Sequence, residues 1–67
     1  MNTAEAKLDF IKNHAEAGRT VYLATALRIT TIKAKHLPLV RVRGNNLEVL
    51  NGKKGWLNYN FAQLSAQ

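Results

Sequence analysis

Two periods divide this chain of 67 residues. Ala4, Leu8, Ile11 and Ala15 recur at intervals of three and four, which sets them in one stripe of a helix turning about 100° per residue. Asn2 followed by Glu5 reads as an N-cap with a carboxylate three residues on, and Gly18 stands where a left-handed C-terminal cap is expected. The spacing predicts a helix over residues 3–17. Phe10 falls off the stripe, beside Ala6 and Ala17. Either it lies on the margin of a wide buried face, or it forms a self-association or partner patch, because an exposed Phe is a liability in a small monomer.

Beyond Gly18 the period becomes two. Val21, Leu23, Thr25, Leu27, Ile29 and Thr31 alternate with Tyr22, Ala24, Ala26, Arg28, Thr30 and Ile32, in a run rich in β-branched residues and free of Gly and Pro. This reads as one long bent strand, or as two strands meeting at a bend near Ala24 to Ala26. Lys33 to Leu37 is a basic connection that Pro38 terminates. Leu39 to Arg43 forms a strand with Val40 and Val42 on one side and Arg41 and Arg43 on the other, and Gly44-Asn45-Asn46 turns the chain into Leu47 to Leu50. Asn51 to Gly55 is a second hairpin loop leading into Trp56 to Phe61, where Leu57, Tyr59 and Phe61 alternate with Trp56, Asn58 and Asn60. The tail, residues 62–67, either closes a strand edge or frays.

One helix followed by four or five short strands is the pattern of an α+β domain with a strongly curved antiparallel sheet. A half-open barrel of the SH3 or Sm type is the alternative arrangement of the same elements. Sixty-seven residues make a single domain, burying roughly 60% of the unfolded surface, near the lower limit for a chain that folds alone. A homodimer is therefore an open alternative. There is no Cys, no apolar run long enough to span a membrane, and an N-terminal stretch too acidic for a signal peptide. The expected setting is the cytoplasm, away from membranes.

Charge sharpens the picture. Residues 18–67 carry Arg19, Arg28, Lys33, Lys35, Arg41, Arg43, Lys53 and Lys54 against Glu48 alone, a net of +7, whereas residues 1–17 carry two Lys against three acids, a net of −1. Solubility needs charge but not a single sign of it, so this imbalance points to a polyanionic partner.

The inventory argues against an enzyme. The only serine is Ser65 in the tail, there is no Cys, and His14 and His36 have no acid at motif spacing. Glu5, Asp9, Lys12 and Glu16 have the arrangement of a solvated helix face. Two distant histidines with few acids make no metal site, and Asn51-Gly52-Lys53-Lys54-Gly55 lacks the context of a phosphate-binding P-loop. No metal or cofactor is expected.

A binding surface remains. Arg41 and Arg43 emerge on one strand face, Lys33 and Lys35 share a face if their strand extends that far, and Lys53-Lys54 sit at a hairpin tip. If Leu57, Tyr59 and Phe61 face the core, then Trp56, Asn58 and Asn60 point outward, a combination suited to stacking a base and bonding its edges. A lone Trp packed in the core is the competing account. Arg28, Lys33, Lys35, Arg41, Arg43, Lys53, Lys54 and Trp56 are thus the candidate nucleic-acid contacts, with Tyr22 as a second stacking residue. Phe10 is the candidate partner patch.

Gly18-Arg19-Thr20-Val21-Tyr22, the continuation Thr30-Thr31-Ile32-Lys33, Lys35-His36, and the later Gly44, Leu47, Gly52-Lys53 and Trp56 resemble short uncharacterised proteins encoded in tailed-phage and prophage genomes. The resemblance implies a small phage gene product in the bacterial cytoplasm that regulates transcription or disarms a host protein. It carries over no site residues. Two function classes follow: a nucleic-acid-binding module, DNA or RNA, or a protein-interaction module such as an inhibitor that meets an acidic host protein.

Overall fold

The computed structural model describes residues 3–67, so the expected cap at Asn2 lies outside the described residues. Helix α1, Thr3–Glu16, is followed by six strands: β1 Val21–Ala24, β2 Ile29–Ile32, β3 Val40–Arg43, β4 Asn46–Asn51, β5 Gly55–Asn58 and β6 Gln63–Ala66. A 3₁₀ helix, Ala34–Leu39, joins β2 to β3. The fold is α+β, as expected, but the strands form two three-stranded antiparallel sheets, in the orders β2-β1-β6 and β3-β4-β5, rather than one curved sheet of four or five. No helix among the described residues is long and apolar enough to cross a membrane.

The end of α1 follows from Gly18. Its φ of +86° is in the left-handed region, and the Arg19 and Gly18 N–H groups donate back to the His14 and Ala15 carbonyls at 3.0 and 3.1 Å. That nested pair satisfies two carbonyls the last helical turn leaves free. The stripe read from the sequence is the buried one: Ala4, Ile11 and Ala15 are inaccessible, and Leu8 packs beside them. Phe10 also packs at the margin of the core, half-buried, with its ring 4.3 Å from that of His14.

The run after Gly18 is two strands, and the chain reverses between them rather than bending. Ala24 pairs with Ile29, so Ala26 and Leu27 are the tip of a two-residue hairpin loop. This register pairs an even position with an odd one, so the inward set switches from Val21 and Leu23 to Thr30 and Ile32. Leu27 and Ile29, which alternate in phase with Val21 and Leu23 in the sequence, do not share their burial and are 89% and 68% exposed. The tail pairs as β6 with β1, Val21 opposite Ala66, and the Thr20 and Gln67 backbones exchange two further bonds.

The second sheet is a meander. Gly44, at φ +62°, opens the two-residue turn from β3 to β4, the place where a primed hairpin turn needs Gly. Val40, Val42, Leu47, Val49 and Leu57 share its inner face, which α1 covers. The two sheets meet through the common core and through one polar joint: the hydroxyls of Thr30 on β2 and of buried Tyr59 lie 2.9 Å apart. The last strand ends at Asn58, not Phe61. Residues 59–61 turn away, and Phe61, which strict alternation groups with Leu57 and Tyr59, is 97% exposed while Tyr59 is buried.

Candidate nucleic-acid interface

The outer face of β3-β4-β5 carries the residues opposite in phase to the core: Arg41 and Arg43 on β3, Glu48 and Leu50 on β4, Trp56 and Asn58 on β5. Arg41 lies opposite Glu48 in the register, and its Nε donates to Glu48 Oε1 at 2.8 Å. The guanidinium then reaches diagonally over β4 and stacks on the Trp56 ring, 3.8 Å from its centroid. Arg41 is thus held by a carboxylate and an indole, its side chain 37% exposed, rather than free in solvent as the sequence reading has it. Trp56 is neither core nor bare: it is half-buried, with one ring face covered by Arg41.

Arg43 is exposed at the β3–β4 end of this face. At the other end, the Asn51 side-chain oxygen accepts the Lys53 and Lys54 N–H groups at 3.0 and 3.3 Å. This Asx turn presents both lysines, exposed, at the hairpin tip. Projected on β4, Arg43 is level with Asn46, Arg41 with Glu48, and the two lysines lie beyond Asn51. At about 3.4 Å per residue that span is roughly 17 Å long.

The two amides expected to read base edges are otherwise engaged. Asn60 Oδ1 accepts the Leu47 N–H at 2.7 Å, and its Nδ2 donates to Asn46 Oδ1 at 2.9 Å. Asn58 Nδ2 donates to the same Asn46 oxygen at 3.2 Å, and Asn58 Oδ1 accepts the Asn60 N–H at 2.8 Å. The Lys7 ammonium donates to the Asn60 carbonyl. These bonds clamp the end of β5 to the β3–β4 turn and to α1, which is structural work.

Lys33 and Lys35 do not extend β2. The chain enters the 3₁₀ helix there, with the Lys33 N–H donating to His36 Nδ1 at 3.1 Å. They meet Arg19, from just beyond α1, around an open cleft of about 350 Å³ that Gly18 and Thr20 complete. Arg19 did not figure among the site candidates; no spacing rule joins it to residues fourteen and sixteen positions on, and only the packing of α1 against the 3₁₀ helix does. Arg28 stands apart from both groups, on the β1–β2 turn, and Tyr22 sits half-buried on the outer face of β1. Phe10, at the core margin on α1, belongs to neither group. Among the described residues no cluster of metal-ligating side chains occurs. Compared with protein-family models, curated proteins and solved structures, the chain gives no significant match.

Proposed function

We propose that the protein binds nucleic acid, DNA or RNA, as a non-catalytic module, with the outer face of β3-β4-β5 as its contact surface. The observation that carries this reading is the pair Arg43 and Arg41 on one sheet face with Lys53-Lys54 at its hairpin tip, where the carboxylate on that face, Glu48, is already taken up by Arg41. A length of roughly 17 Å runs beside about five successive phosphates of one B-DNA strand, spaced 3.4 Å along the axis. Arg19, Lys33 and Lys35 add a second cationic group for flanking phosphates. With Asn58 and Asn60 engaged and one face of Trp56 covered, affinity comes mainly from phosphates, so sequence preference is weak. The phage resemblance supplies the setting, a small regulatory product in the bacterial cytoplasm.

The test is a titration of labelled duplex and single-stranded oligonucleotides from about 50 to 200 mM salt. Arg43, Lys53 and Lys54, the three cations of this group not held by Glu48, give an expected slope of log affinity against log salt of about −3 on duplex, each neutralised phosphate contributing about −0.9. Replacing exposed Arg43, Lys53 and Lys54 together by Glu is expected to abolish binding while leaving the thermal transition in place. A flat salt dependence, or full binding by the triple variant, refutes the reading.

A further inference from the structure

A different surface lies between the β1–β2 turn and the segment after β5. Leu27, Arg28, Leu57, Tyr59 and Phe61 line an open, largely apolar cleft of about 360 Å³. Phe61 and Leu27 are 97% and 89% exposed, and Ile29, next to Arg28, is 68% exposed. Large apolar side chains gain by leaving water, so three left in it in so small a domain mark an uncovered contact surface.

The side chains in the cleft wall that carry hydroxyl or amide groups are already bonded within the fold. The Thr25 hydroxyl is spent within its own turn, the Tyr59 hydroxyl on Thr30, and the Asn58 amide on Asn46 and Asn60. For the edges of a nucleobase the described lining offers, beyond Arg28, only the remaining capacity of groups already bonded within the fold. Among the described residues, Arg28 is also the only charged one lining the cleft. Beyond Gly18 the sole acid is Glu48, held by Arg41, so the field around the cleft is positive. A second copy of this chain, with a net charge of +6, would bring cation against cation. The bordering strands β2 and β5 each pair with one neighbour only, which leaves outward backbone donors and acceptors for an extended chain.

We propose that this cleft docks an extended segment of a partner protein, inserting a large apolar side chain between Leu27 and Phe61 and setting a flanking Asp or Glu on Arg28. This inference is independent of the nucleic-acid reading, because it uses another face. The probe is a short fluorescein-labelled peptide with Leu and Phe at its centre and Asp or Glu elsewhere, measured by polarisation. It is compared with one version carrying Lys for every acid and one carrying Ala for Leu and Phe. The acidic apolar peptide is expected to bind and both controls to fail. Phe61→Ser and Arg28→Glu are each expected to weaken binding about tenfold or more, with amide shifts centred on residues 25–28 and 57–61. The triple Glu variant of Arg43, Lys53 and Lys54 is expected to bind the peptide at this cleft still, with those shifts unchanged. Absence of binding, equal binding of the Lys version, or indifference to Phe61→Ser overturns the proposal. Self-association abolished by Phe61→Ser assigns the cleft to a second copy instead, and displacement of the peptide by single-stranded oligonucleotide at this cleft assigns it to nucleic acid.

Discussion

Arg41 holds two partners at once, and the consequences of removing either differ. In Glu48→Gln the guanidinium keeps its stack on Trp56 and loses an ion pair that is partly open to water. Such pairs contribute about 1 kcal/mol or less. The variant is expected to lose little stability and to bind polyanions more tightly, having gained one unit of positive charge. Arg41→Ala is the harsher change: it leaves the Glu48 carboxylate, only 15% exposed, without its donor and uncovers the indole. It is expected to cost about 1–3 kcal/mol in urea denaturation and to red-shift the emission of the single tryptophan; equal stability of the two variants would contradict the pairing. Burial makes a parallel contrast. Ile11→Ala, at a fully enclosed position, is expected to cost about 2–5 kcal/mol, whereas Phe61→Ser is expected to stay within about 0.5 kcal/mol, since nothing in the fold covers that ring.

At the scale of the element, the β1–β2 hairpin turns without the residues such turns usually need. Neither Ala26 nor Leu27 has positive φ, so the loop is not of the primed kind favoured between twisted strands. Thr25 compensates: its hydroxyl oxygen lies 3.3 and 3.2 Å from the Leu27 and Arg28 N–H groups, and 3.1 Å from the Arg28 carbonyl. Thr25→Val keeps the shape and removes these bonds. It is expected to cost about 1 kcal/mol and to lower hydrogen-exchange protection in β1 and β2 more than in β3 to β5. This turn is also where legibility in the sequence ended. The helix, its stripe and its Gly18 cap were readable because one element sets them, and so were the two glycine-marked hairpins of β3 to β5. The β1–β2 reversal has no Gly, Pro or Asn to mark it, so the alternation reads as one bent strand or two strands meeting at a bend, and the switch of inward set between β1 and β2 is not legible. Likewise Arg41 and Arg43 were correctly placed on the outer side of β3, but the Glu48 and Trp56 contacts of Arg41 depend on a register across three strands that no local pattern states. The alternation of Leu57, Tyr59 and Phe61 does not reach Phe61, because β5 ends at Asn58 and the Asn60 side chain is bonded to Leu47 and Asn46.

For the whole molecule, the two sheets differ in how far apart in sequence their partners lie. Those of β3-β4-β5 are consecutive strands joined by tight turns, and α1 packs on their inner face. The sheet β2-β1-β6 instead requires Val21 to find Ala66 across most of the chain. Closing so long a loop is entropically unfavourable before its contacts form, and contacts distant in sequence slow folding. The meander and helix are therefore expected to be structured in the folding transition state, with β6 docking afterwards. Leu64→Ala, opposite Leu23 on β6, then accelerates unfolding with little effect on the folding rate, while Val49→Ala in β4 slows folding; stopped-flow chevrons of the two variants measure both limbs. Equal slowing of folding by both would place β6 in the nucleus. In a chain that assembles in this order, the final strand works as a latch: the lifetime of the native state, more than the speed of reaching it, is set by the four residues of β6.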